Sequence, residues 1–155
     1  MKKLTIVAGL ALLIYACAES TSKNSAPSEG PAKESTAAPA YDTAKGAGRF
    51  TKVDIPASLD AKMAEAGKKV YDLKCAACHK LSDEKLVGPG WKGVTARHTP
   101  EWIMNFSTNP DEMLQKDPKA QAMLEICLVK MPNQNLTDDE ARQIYEFMRK
   151  NDGIK

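Results

Sequence analysis

A chain of 155 residues has room for one domain with appendages, and a formal charge of +2 is too slight to call for a polyanionic partner. From Phe50 onward 13 Lys and 3 Arg face 9 Asp and 7 Glu, so the excess lies in the N-terminal third. No basic run alternates with aromatic residues, which argues against nucleic acid.

Residues 1–17 read as an export signal. Lys2 and Lys3 form a positive start, and Leu4 to Ile14 is an apolar run too short to span a bilayer comfortably. Ile14-Tyr15-Ala16-Cys17 has the form of a bacterial lipoprotein signal, in which Cys17 becomes lipidated after cleavage; Tyr15 departs from that pattern. Ala16-Cys17-Ala18 also fits an ordinary cleavage site that releases a soluble protein, and an uncleaved anchor is a third arrangement. All three place the mature domain outside the cytoplasm, in the periplasm or cell envelope, with the lipid holding it to the membrane in the first case.

Residues 18–56 are rich in Ser, Ala, Pro, Thr, Lys and Glu and low in large apolar side chains, so the sequence predicts a disordered tether ahead of a domain at 57–155. The most biased part, Glu19 to about Lys52, is roughly 34 residues, which as a flexible chain reach roughly 30 to 35 Å. Such a leash would raise the effective concentration of a domain near membrane partners, or serve only as a spacer.

From Leu59 the pattern turns helical, with Asp60 as N-cap and Met63, Ala66, Gly67, Val70 and Tyr71 on one face. Glycine in mid-helix costs about 1 kcal/mol relative to alanine, so Gly67 asks for the close approach of another helix. This helix leads into Cys75-Ala76-Ala77-Cys78-His79. Two thiols three positions apart share one face of a helical turn, and with a histidine directly after them they form the pattern of covalent haem attachment. Cys75 and Cys78 would anchor the macrocycle and His79 would bind iron. A redox disulfide wants a strand-to-helix setting, and a zinc site wants a second pair of ligands; the remaining Cys17, Cys127 and His98 supply neither.

Gly88-Pro89-Gly90-Trp91 is a turn by composition, and a carbonyl there is placed to accept the second N–H of His79; a plain turn with a packed tryptophan is the simpler local reading. Thr99-Pro100-Glu101, Asn109-Pro110-Asp111 and Asp117-Pro118-Lys119 each pair a capping side chain with proline at the first helical position, opening three short helices. Thr137 with Glu140 forms a capping box for a last helix that buries Ala141, Ile144, Tyr145, and Phe147 or Met148. Nothing alternates like a strand.

The second axial position of the iron has three candidates: Met131, His98 or no protein ligand. Met63, Met104, Met113, Met123 and Met148 fall in helical patterns, where methionine packs cores. Met131 lies in the non-helical Lys130-Met131-Pro132-Asn133-Gln134-Asn135, where Pro132 keeps it extended and following amides are placed to donate to its sulfur. A thioether favours Fe(II), whereas a second imidazole lowers the potential.

From about Asp60 to Lys150 these features resemble a bacterial mono-haem class I cytochrome c, in its membrane-tethered lipoprotein form. The resemblance implies a small all-α cytochrome c fold of four to five helices wrapped around one covalently bound haem c and its iron. It also implies that Gly67 and Tyr71 meet Ile144 and Phe147, that the Pro89 carbonyl accepts from His79, and that Trp91 packs beside the haem. The helical insert from Thr99 to Leu128, which is not short, departs from the family pattern. Cys127, spaced with Met123 and Leu124, reads as an inert core thiol against a reactive alternative.

The resulting expectation is a one-electron carrier, not an enzyme, working between a redox donor and acceptor outside the cytoplasm. Lys74, Lys80, Lys92 and Lys130 are candidates to steer an acidic partner, or plain surface charges. The alternatives are a haem-based ligand sensor and a peroxidase-like enzyme, and both need an iron that Met131 does not hold.

Overall fold

The computed structural model describes residues 41–155; residues 1–40, including the expected signal, Cys17 and part of the tether, lie outside the described residues. Among the described residues six helices follow one another: α1 (Ala61–Lys74), α2 (Val94–Arg97), α3 (Pro100–Thr108), α4 (Pro110–Lys116), α5 (Pro118–Cys127) and α6 (Asp138–Asn151). No strand occurs among the described residues, where one isolated bridge joins His79 to Lys85. The fold is all-α as the sequence predicts, with one helix more than the four to five expected.

Local chemistry starts five of these helices. The Asp60 carboxylate accepts from Met63 N at 2.9 Å. Thr99, Asn109 and Asp117 cap α3, α4 and α5, each followed by proline in the first turn, which lacks the N–H that a helix start leaves without a partner. Thr137 and Glu140 close the capping box of α6 in both directions, at 3.1 and 2.9 Å. The sixth, α2, begins at Gly93 in the left-handed region with no side chain of its own to cap it. Its donors are met from the far end of the domain, where Asp152 accepts from Gly93 N (2.6 Å), Thr95 N (2.9 Å) and Thr95 Oγ1 (2.7 Å).

The first and last helices cross at Gly67. A Cβ built there would lie 2.0 Å from the Gln143 carbonyl oxygen and 2.9 Å from Phe147 Cβ, so only glycine lets the backbones approach this closely. One turn later Tyr71 meets Phe147, ring centroids 5.4 Å apart. Beside this crossing the fully buried Glu146 takes Arg142 at 2.5 Å, Arg149 at 2.7 Å and the backbone N–H of Asp60 at 2.9 Å. Arg149 in turn donates to the Pro56 and Ala57 carbonyls, fixing the chain that leads into α1. Burial alone would push the Glu146 carboxyl up, but the Asp60 N–H and the two guanidinium groups outweigh it and hold it below 4.5.

The tether expected over 18–56 ends earlier than its composition implied, because residues 41–56 pack on the domain. Tyr41 donates to buried Asp117 at 2.7 Å, and the Ala47 N–H reaches the sulfur of Met113 at 3.0 Å. Gly46 and Gly48, both at positive φ, sit where a Cβ would strike Met113 and the Asn105 side chain. Asn105, almost wholly buried, donates to the Lys45 and Phe50 carbonyls and accepts from Phe50 N. Phe50, Val53 and Ile55 then rest on the core. A few well-spaced apolar residues and one polar clamp suffice where average composition predicts disorder.

Helix α5 ends at Leu128, whose φ of 60° places a branched residue in the left-handed region usually taken by glycine, at a cost of about 1 kcal/mol or more.

Gly67→Ala should lower the melting temperature even though alanine is the better helix former by about 1 kcal/mol, because overpacking at the crossing costs about 1–3 kcal/mol; thermal melts by circular dichroism measure the sign. The depressed Glu146 pKa stabilises the fold above about pH 4.5, and that contribution is lost as pH falls through the folded value. Glu146→Gln should therefore flatten the acid limb of a stability-against-pH curve, and at neutral pH it should cost about 3–5 kcal/mol by leaving buried guanidinium charge unpaired.

Candidate haem site

The Cys75–His79 segment continues directly from α1. Cys75 caps that helix through its N–H to the Tyr71 carbonyl, and the N–H groups of Cys78 and His79 both reach the Cys75 carbonyl, at 3.0 and 2.9 Å. The local turn thus carries both cysteines and the histidine on one short arc. None of Cys75, Cys78 and Cys127 is in a disulfide.

His79 is held from three directions. Tyr71 Oη donates to its carbonyl at 2.7 Å, Nδ1 lies 2.9 Å from the Pro89 carbonyl, and Gly88 rests against the ring so closely that a Cβ would come within 2.3 Å of Cε1. The 78–92 loop folds back to make this possible: Gly88 N donates to Cys78 O, Trp91 N to Lys80 O, and Gly90 presses on Ser82. With Nδ1–H donating to the Pro89 carbonyl, the neutral ring keeps the lone pair of its unprotonated Nε2 free. Burial lowers the His79 pKa while the Pro89 carbonyl opposes it, so the ring is neutral at pH 7, the form that binds a metal. The Cys75 thiol is pushed up to about 11 by burial, against the pull of Lys74. It is therefore a protonated thiol, not a spontaneous thiolate.

Cys75, Cys78, His79, Pro89, Trp91 and Met131 all line one cavity of about 440 Å³. A smaller hollow of about 80 Å³ shares Cys78, His79, Pro89 and Met131 with it. Trp91 is buried between Tyr71 and His79, with ring centroids 4.9 and 5.5 Å away. The amides after Met131 do not serve its sulfur as expected: Gln134 donates to the Pro132 carbonyl and Asn135 N to Asn133. The methionine sulfur that does accept an N–H is that of Met113, deep in the core. Cys127 is half-buried on the wall of the smaller hollow with Met123 and Leu124.

Further wall residues stand where the sequence did not place them, and His98, weighed from sequence only as a second iron ligand, is one of them. His98 stacks on Trp102, centroids 4.0 Å apart, and His98 Nδ1 and Trp102 Nε1 are buried without partners. Arg97 and Lys119 line the same cavity. Burial lowers the His98 pKa to about 4, with Lys119 and Arg97 adding to the shift. The i, i+4 spacing of His98 and Trp102 was a visible signal, but their loop-to-helix setting concealed that both face the cavity.

The residues present suit a covalent haem. The walls are mostly apolar, two thiols and a fixed neutral imidazole stand together, and unpartnered N–H groups with two cations can meet carboxylates. Among the described residues no group of three or more His, Cys, Asp or Glu could bind a metal by itself, so an iron here would be held within the macrocycle.

A domain wrapped around such a chamber belongs to the class of small haem-enclosing helical proteins. The sequence model for cytochrome c matches residues 64–152. No curated protein matches the chain. Among solved structures, cytochrome c from Rhodothermus marinus is 32% identical, with a TM-score of 0.66 over 68% of this chain and 90% of that one. An engineered cytochrome c from the same organism, Rma TDE, is 31% identical with a TM-score of 0.65. The engineered protein bound to a carbene intermediate matches at 32% and 0.63, and both engineered matches have the same coverage as the first. The chain belongs to the cytochrome c family, whose members carry covalently attached haem c with its iron.

Gly88→Ala should drive the His79 ring off the Pro89 carbonyl. The expected result is a melting temperature lower by roughly 5 °C or more, with a moved imidazole Nδ1–H resonance in the NMR spectrum; an unmoved resonance would mean that the loop yields instead.

Proposed function

We propose that this protein is a one-electron carrier whose haem is anchored by Cys75 and Cys78 and ligated axially by His79 and Met131. The observation that carries the reading is that Met131 lines the chamber that holds both cysteines and the fixed imidazole. The cofactor supplies the redox couple. The chain's own residues do the rest: Pro89 and Gly88 hold the imidazole, Tyr71 fixes its backbone, and apolar walls exclude water, so little need reorganise when one electron moves. Among the described residues no carboxylate lines either cavity, and His98, its pKa lowered to about 4 by burial, is a weak base, so the site offers little general acid–base chemistry for a peroxidase.

The working location in this reading is the periplasm or cell envelope, with Cys17 lipidated and the domain tethered to the membrane. The support is the sequence Ile14-Tyr15-Ala16-Cys17 after a positive, apolar leader. The partners are a redox donor and acceptor. Mass spectrometry of the mature N-terminus separates a diacylated Cys17 from a free one.

Spectra of the haem-loaded protein test the ligation. The oxidised form should show the weak long-wavelength band of an iron–sulfur bond, and the reduced form should not bind CO. Met131→Ala should abolish the band, lower the reduction potential and admit CO. CO binding by the unaltered protein would instead favour the sensor or enzyme reading. Cys75→Ala with Cys78→Ala should leave a chain without cooperative melting, since the chamber walls would lose the surface they close on.

A further inference from the structure

Helices α4 and α5 close the haem chamber, yet little of the core holds them. Lys119, Ala122 and Met123 line the larger cavity, and Leu124 and Cys127 line the smaller hollow. Helix α4 rests on α3 and α5, α5 rests on α4, and neither makes a substantial contact with α1 or α6. Ala120 is the one buried residue of α5. The pair is bounded by two non-helical residues, Asn109 before α4 and Leu128 after α5, and Met131 follows the second of these directly.

Most of what fixes this pair comes from residues 41–47, none of which lines the chamber itself. Tyr41 Oη donates at 2.7 Å to the fully buried Asp117 between the two helices, and the same carboxylate caps α5 through Ala120 N at 2.8 Å. Lys119 Nζ donates to the Thr43 carbonyl at 3.1 Å, and the Ala47 N–H reaches the Met113 sulfur at 3.0 Å. The same strap is fastened to α3, where the Thr99 hydroxyl donates to the Ala44 carbonyl at 2.5 Å and the Asn105 amide to the Lys45 carbonyl at 3.0 Å. At Gly46, with φ 74°, a Cβ would come within 2.6 Å of Met113 and 3.1 Å of Trp102, a residue of the chamber wall. Apart from the strap, two polar contacts reach the pair among the described residues: Lys85 on the Ile126 carbonyl at 3.0 Å, and Lys130 on Asp111.

We propose that residues 41–47 are a latch on a hinged flap made of α4 and α5: with the strap seated the flap is shut and Met131 is kept at the chamber, and with the strap released the flap swings out and draws Met131 away. The effect on the metal rests on the reading of Met131 as an axial ligand; the latch and the flap do not. Each tie is a single hydrogen bond at a partly exposed edge, the kind that opens locally while the helices of the core stay folded. The strap is continuous in sequence with the residues read as a tether, so a pull on the chain ahead of Tyr41 acts first on the Tyr41–Asp117 bond.

The test compares the haem-loaded full chain with two latch variants and one control. Tyr41→Phe removes a single tie, and Gly46→Val wedges the strap off Met113. Thr137→Ala takes the cap from α6 without touching strap or flap, so it lowers stability alone. Two readouts follow the flap: amide hydrogen exchange along the chain, and labelling of Cys127 by an aromatic disulfide reagent, located by peptide mass spectrometry. Cys75 and Cys78 are thioethers in that protein and do not react. Amides of α5 and the Cys127 thiol should react about tenfold faster in Tyr41→Phe and faster still in Gly46→Val, while amides of α1 and α6 stay within about twofold. Reduced Gly46→Val should also take up CO, which the unaltered protein should not. Thr137→Ala should lower the melting temperature with no such bias towards α5. Unchanged exchange and labelling in both latch variants would overturn the proposal, as would rates that rise alike in α1, α5 and α6, the mark of global unfolding. Faster opening of α5 without CO uptake would overturn the claim on Met131. Ready CO binding by the unaltered protein would instead remove the axial-ligand reading, leaving the latch to be decided by exchange and labelling, which need no sixth ligand.

Discussion

The contact of Gly67 with the Gln143 carbonyl is the constraint on which the rest of this structure depends. Because α1 and α6 touch backbone to backbone, the last turn of α1 is set by the last helix of the chain. That turn carries Tyr71 and delivers Cys75. A side chain of any size at position 67 would separate the helices and carry the cysteine motif with them. The buried Glu146 cluster guards the same junction from its other side, coupling α6 to the segment that leads into α1.

The imidazole of His79 shows how a loop is made as rigid as a helix. Its backbone answers to α1 through Tyr71, its ring to the 88–89 turn, and that turn to the Cys78 carbonyl through the Gly88 N–H. Loss of any one link leaves the others, so the ring's direction is over-determined. In the proposed reading, where His79 holds the iron, such an arrangement would keep the ligand's geometry through repeated changes of charge at the metal.

Much of this was legible in the sequence, for reasons that are local. The caps Asp60, Thr99, Asn109, Asp117 and Thr137 act within three residues, so each announces its helix. The Cys75–His79 motif is local too, and a mid-helix glycine calls for a neighbour even before that neighbour is known. What the sequence concealed acts at a distance. Helix α2 is capped by Asp152, some 57 residues beyond Thr95. Residues 41–56 are ordered by Asn105 and Met113, whose interest in that segment nothing local reveals. The pairing of surface lysines likewise depends on which acids the fold brings beside them.

The crossing of the terminal helices also dictates an order of assembly. Gly67 and its neighbours on α6 lie more than seventy residues apart, and α2 is capped from Asp152, beyond the end of α6. Closing so long a loop is repaid only when both ends exist. A chain emerging from its N-terminus therefore presents Cys75, Cys78 and His79 as accessible, unburied groups until α6 has been made. The architecture that finally encloses the motif is the one that keeps it open for covalent modification beforehand.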